Sequence, residues 1–287
     1  MKKTSVIMLT LIITALVFSF APIKSTAQNK LSAQELITKH LESIGSAEAR
    51  AKTKSRIIIG SNAATFRGRS TGAANGGAVL ASTNNNNLLV MRFPSPDYRI
   101  EAAGFDGKDF TVSYVQPGSR TTFGNFLLRH DSVFKQGLLG GVLSSAWPLL
   151  DMTTTDAKLD YEGAEKIGDR QVHRLRFLPR KGSDLRITLF LDAETFQHLR
   201  TQYEQTLAAS IGSNIDNSSR QNETRFRMVE NFSEFKKEGG LTLPHVYTIQ
   251  LSVTGNAGTT ISEWKMNLTE FNFNRPIDAK SFNVSTY

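Results

Sequence analysis

Few residues in this chain could do acid–base, nucleophilic or metal chemistry, and their spacing is poor for it. His130 and Asp131 adjoin, but neighbouring side chains on a helix point apart. The five histidines, at 40, 130, 173, 198 and 245, include no His-x-x-x-His pair that would put two imidazoles on one helical face for zinc. There is no cysteine, which excludes thiolate metal sites and cysteine nucleophiles. Asp192 and Glu194 read first as residues of the turn Asp192-Ala193-Glu194-Thr195. The glycine-rich stretch Arg67 to Gly77 lacks the Lys-Ser/Thr pair and the strand–helix context of a phosphate loop. No serine elbow of the Gly-x-Ser-x-Gly type is expected. No catalytic residue, metal or cofactor is therefore assigned, and the expectation is a protein that is not an enzyme.

Burial of apolar surface is the chemistry that remains. The stretch from Phe123 to Leu150 is the longest apolar, helix-patterned segment after the N-terminal region. Phe134, Leu138 and Val142 recur at four-residue steps, and Leu139, Leu143 and Trp147 do so on a neighbouring face, so apolar side chains cover more than one face. Gly140-Gly141 is expected to divide it into two short helices, and Pro148 hinders continuation. Such an insert is either a core helix packed on a sheet or a mobile lid over an apolar cavity. On the second reading an acyl chain would be held by Phe126, Leu127, Phe134, Leu138, Leu139, Val142, Leu143 and Trp147 of the insert. Met91, Leu189 and Trp264 would join them from strands, with ordinary core packing as the alternative for each.

The elements around this insert read mainly as strands. Ser32 to Glu35 has the form of a capping box, and Leu36, Ile37, His40, Leu41 and Ile44 then make one helical face ending at Gly45. His40 on that face reads as a packed core histidine. Arg56 to Gly60 opens the sheet, and Arg67–Gly77 and Asn84–Asn87 read as loops. Leu88 to Phe93, Tyr98 to Ala102 and Phe110 to Val115 follow as strands, with Tyr98, Ile100 and Ala102 alternating against Arg99 and Glu101 in a half-buried pattern. Beyond the insert, a hairpin turns at Lys166 to Asp169. Leu185, Ile187, Leu189 and Leu191 form the clearest inward face, and Thr206 to Glu223 reads as a long polar loop. Alternation returns at Phe226 and Met228, at Tyr247 to Val253, and at Trp264 to Leu268. Its parity shifts at Phe271, as at a bulge or a strand end. Pro276 to Ala279 with Phe282 reads as a closing tail packed on the sheet. The fold class expected is mainly β with a few helices: an antiparallel unclosed β-barrel of about ten strands, covered by an N-terminal helix and the helical insert.

Met1-Lys2-Lys3, the apolar run Val6 to Phe20 and Ser25-Thr26-Ala27 have the form of a cleaved signal peptide over residues 1–27, leaving 28–287 as a single domain. Loss of Lys2, Lys3 and Lys24 takes the formal charge from +8 to +5. The bases are scattered, with no run of five, so nucleic acid is not expected as a partner.

In order of elements the chain resembles the LolA/LolB-like lipoprotein-carrier superfamily, whose relatives include RseB/MucB and LppX. The resemblance lies in Glu35-Leu36-Ile37 through Ile44-Gly45 to Arg56-Ile57, in Phe105-Asp106-Gly107, in Phe190 to Thr195 followed by Leu199-Arg200, and in Pro276 to Ala279 with Phe282. It implies a periplasmic carrier or sensor, monomeric, that holds the acyl chains of a lipid or lipoprotein. It also implies a transient membrane or envelope-protein partner. The alternative is an envelope interaction module without a lipid cavity. None of the four stretches places a functional arginine.

Overall fold

The computed structural model describes residues 31–69, 71–152, 157–209 and 223–286, so the expected signal peptide lies outside the described residues. Ser32 to Tyr287 clusters as one compact unit. Helix α1 (Ala33–Ile44) starts at the expected capping box: the Ser32 hydroxyl accepts from Glu35 N at 3.2 Å, and Glu35 accepts from Ser32 N at 2.7 Å. Its buried face is Leu36, Ile37, His40 and Ile44. Gly45 ends the helix at φ 150°, a positive-φ conformation that favours glycine, and a short α2 (Ala47–Lys52), capped by Ser46, follows.

The described strands number twelve rather than ten, all antiparallel and in one curved, unclosed sheet. They are β1 (Ser55–Arg67), β2 (Thr71–Thr83), β3 (Asn86–Arg92), β4 (Ile100–Phe105), β5 (Phe110–Val112), β6 (Lys158–Ile167), β7 (Arg170–Leu178), β8 (Arg186–Asp192), β9 (His198–Leu207), β10 (Thr224–Glu238), β11 (Leu241–Gly255) and β12 (Gly258–Phe273). Their order is β5-β4-β3-β2-β1-β12-β11-β10-β9-β8-β7-β6. The chain thus starts at the centre, meanders out to the β5 edge, resumes at the opposite edge and meanders back until β12 pairs with β1. The apolar insert joins β5 to β6, and because these strands are the two edges of the sheet it must carry the chain from one edge to the other. Topology therefore lays the insert across a face of the sheet.

Part of the extra strand content lies where composition reads as loop. Thr71 to Gly77 is strand, because its small residues pair in full register with Ser61 to Arg67. Backbone hydrogen bonds from β1 suffice there without an apolar period. The parity shift near Phe271 is a bulge: Ile59 lies opposite Glu270 and Gly60 opposite Leu268. The expected polar loop falls largely on residues 210–222, outside the described residues.

The insert is two short helices followed by tight turns. Helices α3 (Thr122–Arg129) and α4 (Asp131–Phe134) meet at His130, not at Gly140-Gly141. The chain then folds through 3-10 turns at Gly141–Leu143 and Pro148–Leu150. Glycines at 137, 140 and 141 hold φ of 82°, 81° and 48°, a region closed to most side chains. On the outer face the closing tail packs as expected, with Phe282 and Val284 against Leu88, Val90, Ile100 and Ala102. Because this covers the outside of β4 while the insert covers its inside, both faces of β4 are buried and the half-exposed reading of Glu101 fails: Glu101 is 2% exposed.

A Cβ on Gly141 would lie 2.8 Å from the His198 and Phe232 rings, and φ is left-handed there. Gly141→Ala is expected to lower stability by roughly 1–3 kcal/mol, read as a reduced urea midpoint with an unchanged slope.

Candidate functional site

The register defines which side chains share the inner face. Arg56, Ile58, Asn62 and Ala64 alternate on β1. Across the ladders they stand opposite Ser82, Leu80, Gly76 and Ala74 on β2. Asn62 and Ala64 also face Met266 and Trp264 on β12. The row continues through Tyr247 and Ile249 to Phe232 and Glu230, then Thr201 and Leu189. The other way it reaches Leu89 and Met91, then Ala103 and Glu101.

The insert lies on this face and is sealed there. Phe126, Leu127, Phe134, Leu138, Leu139, Val142, Leu143 and Trp147 are each at most 4% exposed, as are Met91, Leu189 and Trp264. All the expected site residues are thus in the interior between sheet and insert, whose segment 122–150 acts as a plug. Phe123 stacks on Trp264 at 4.6 Å between centroids, Phe134 meets Tyr203 at 5.4 Å, and Trp147 stacks on His198 at 4.7 Å. These side chains are almost without accessible surface, so among the described residues sheet and plug pack directly against each other. The open grooves on the surface have other linings, such as Ile167, Arg170, Leu199, Arg200 and Phe235 around about 460 Å³.

The polar groups that pin the plug were not expected from sequence. The Arg56 guanidinium is 2% exposed and has no carboxylate partner among the described residues. Its Nη1 donates to Val142 O at 2.6 Å and Ser144 O at 3.3 Å, and its Nε is unpaired. Burial pushes its pKa down to about 10, so it stays charged. Glu230 accepts from Gly140 N at 2.8 Å, from Tyr203 at 2.7 Å and from Tyr247. Burial outweighs these three donors and pushes its carboxyl up to about 7. Glu101 accepts from Thr121, the N-cap of α3, at 2.7 Å and from Tyr98 at 3.0 Å, and burial raises it also to about 7. Ser82 accepts from Ser145 N at 2.8 Å, and Asn87 donates to Leu139 O at 2.9 Å.

His40 is the packed core histidine expected. Its Nε2 accepts from the Trp147 indole at 3.1 Å, which leaves the proton on Nδ1 to donate to Phe196 O at 3.0 Å. Burial lowers its pKa to about 4, keeping the ring neutral. His130 and Asp131 do not converge: His130 pairs with Gln205 at 3.2 Å, and Asp131 with Lys135. The spacing Gly68-Arg69-Ser70-Thr71-Gly72 does match a Gly-x-Ser-x-Gly elbow, contrary to expectation. It joins β1 to β2, a strand-to-strand turn rather than the strand-to-helix turn that presents a nucleophile, and Ser70 lies outside the described residues. Among the described residues no group of three His, Cys, Asp or Glu side chains is placed to hold a metal.

No family model matches the chain, and no curated protein matches it. It is similar to several solved structures at low sequence identity. One is a LolA superfamily protein of Nitrosomonas europaea, at 14% identity and TM-score 0.49, with 88% of this chain and 98% of that one covered. A DUF1329 family protein of Desulfovibrio piger matches at 8% identity and TM-score 0.38, over 87% and 96% of the two chains. The Pseudomonas aeruginosa MucA/MucB complex matches at 9% identity and TM-score 0.22, over 84% and 99%.

Glu230 generates a prediction with a defined sign. A carboxyl whose folded pKa is raised binds more protons folded than unfolded, between its ordinary value of 4.5 and about 7. Its contribution to stability is therefore fullest below pH 4.5 and is lost as pH climbs through 7. Glu230→Gln mimics the protonated group at every pH. The stability of the native protein relative to Glu230→Gln, from urea midpoints, is expected to fall steadily from pH 4.5 to 7.5 and then level off.

Proposed function

We propose that this chain is an exported, non-catalytic binding protein of the cell envelope that takes the acyl chain of a lipid or lipoprotein onto the inner face of its sheet, as carrier or sensor. The plug occupies that face when no ligand is bound. The observation that carries this reading is Arg56. Burying a guanidinium without a counter-ion is costly, and a fixed core position is served as well by leucine. A charge that holds only two backbone carbonyls of the plug makes a latch that can let go, because both partners regain water when the segment lifts.

Magnitudes limit how much of the plug moves. A large apolar side chain contributes about 1.5–3 kcal/mol when buried, so freeing the whole segment from Phe123 to Leu149 exposes more than one acyl chain restores at about 0.8 kcal/mol per methylene. Lifting only Leu138, Leu139, Val142 and Leu143 is comparable with one chain. That stretch is flanked and interrupted by the left-handed glycines 137, 140 and 141, and it carries the contacts to Arg56, Glu230, Ser82 and Asn87. We therefore assign the moving lid to residues 138–145.

A second reading, an envelope interaction module with no lipid cavity, is favoured by the filled interior. Native mass spectrometry of the mature protein purified from its own envelope, with organic extraction, separates the two. The carrier reading expects a stoichiometric lipid or acyl chain, or uptake of a fluorescent fatty acid by the empty protein; failure of both favours the interaction module.

Arg56→Leu removes the donors to Val142 and Ser144, at a cost of about 1–3 kcal/mol per orphaned carbonyl. Amide exchange over 138–147 is expected to speed up by at least tenfold relative to β10 and β11. Apparent affinity for a fluorescent fatty acid is expected to rise, since the closed form competes less well. A variant that is merely less stable, with unchanged exchange order and unchanged uptake, rejects the latch.

A further inference from the structure

The latch uses only one side of the Arg56 guanidinium. Both contacts to the plug, at Val142 O and Ser144 O, come from Nη1. Nε is unpaired and sealed. Nη2 also makes no hydrogen bond among the described residues, but it is not sealed. The Nε–Nη2 edge of an arginine is a fork that can grip an oxyanion through two parallel N–H groups. Here that edge belongs to a cation that is 2% exposed and has no counter-ion among the described residues.

There is space for an anion beside it. Arg56 lines an open cleft of about 540 Å³, large enough for a polar head group. Arg50, Lys54 and Arg56 enter the cleft from α2 and the start of β1, and Asn84 and Asn85 from the turn between β2 and β3. Ser145 of the plug lines it too, with Asp151 just beyond. Three cations thus meet one carboxylate. Arg50 is held in position, because its Nη1 donates to Gly45 O at 2.7 Å and to Leu41 O at the end of α1. Lys54, Asn84 and Asn85 are exposed. The cleft therefore has a fixed, desolvated cation at its back and exposed donors at its mouth. A carboxylate has two oxygens, which the back alone can satisfy. A phosphate has more charge and three acceptor oxygens, and can use back and mouth together.

We infer that this cleft binds a phosphate group, with Arg56 at its back and Lys54, Asn84 and Asn85 at its mouth. The site stands independently of acyl binding. The same chemistry admits two sources: free phosphate, or the head group of a phosphorylated amphiphile. The second would leave its chain beside Ser145, the last residue of the segment 138–145.

The test is calorimetric titration of the purified mature protein with inorganic phosphate, with dodecyl phosphate below its micelle concentration, and with dodecanol. Backbone amide shifts locate the bound ion. Phosphate is expected to bind and to move amides of residues 50–56 and 84–85. Arg56→Leu is expected to abolish this. Because that change also frees the plug, the exposed substitutions Lys54→Glu and Asn85→Asp carry the test. Each is expected to weaken both phosphates by roughly 3–10-fold while leaving dodecanol within about twofold. Lys158→Glu, an equal charge reversal at an exposed site on β6, is expected to leave phosphate binding unchanged. Displacement of a fluorescent fatty acid by dodecyl phosphate but not by inorganic phosphate assigns the site to a head group. Binding of both phosphates with no displacement assigns it to the free ion. The inference is overturned if the native protein binds neither phosphate. It is also overturned if Lys158→Glu weakens binding as much as Lys54→Glu, which marks net charge alone, or if the shifted amides lie elsewhere. If phosphate binds here and no fatty acid does, the acyl-binding reading falls and this site remains.

Discussion

A curved antiparallel sheet that stays open has an apolar inner face that nothing in the sheet itself can bury. Every other feature of this protein answers that constraint. The two half-meanders meet at β1 and β12 in the centre, so the link between their outer ends must cross the sheet. The same residues that make the crossing also supply the missing apolar surface. Phe123, Phe126, Leu127, Phe134, Leu138, Leu143 and Trp147 are as buried as the strand residues they cover. Connection and core are therefore one segment, and hydrophobic burial at about 25 cal/mol per Å² holds it in place.

What distinguishes this plug from an ordinary core layer is the polarity buried with it. Arg56, Glu101 and Glu230 are charged or chargeable groups that have each lost their water. Their partners are backbone groups and hydroxyls, not one another. A hydrophobic replacement would pack as well and avoid the desolvation cost. Their shared property is that they bind the plug outside the interiors of its helices: at the Thr121 hydroxyl before α3, at Gly140 N in a left-handed turn, and at the Val142 and Ser144 carbonyls around a single 3-10 turn. The segment is thus closed by a small number of reversible contacts over glycine-rich backbone, whereas α3 upstream is closed by Phe123 and Phe126 packing on aromatic rings. The helical part is thus held mainly by aromatic packing and the turn-rich part mainly by hydrogen bonds.

The sequence alone determined the elements whose signals are local. The capping box at Ser32 and Glu35 concerns four residues. The hairpin at Lys166 to Asp169, the inward face of Leu185 to Leu191, the bulge before Phe271 and the tail ending in Phe282 follow from period-two alternation and its interruptions. The apolar set of the insert was visible as well, because burying so many large side chains requires a partner surface whatever the topology. Tertiary structure decided the rest. Thr71 to Gly77 is a strand because β1 offers it hydrogen bonds, which its own glycines and alanines do not announce. Glu101 alternates like a solvent-facing residue, yet the tail covers one side of β4 and the plug the other. Arg56 and Asn62 stand on the same face of the same strand and look alike in sequence, as polar residues among apolar ones. Both side chains are buried, but the plug lays two carbonyls over Arg56, whereas neither polar atom of Asn62 has a hydrogen-bond partner among the described residues. Burial of a polar side chain is set by what crosses above it, and that is fixed by the pairing order of distant strands rather than by neighbours in the chain.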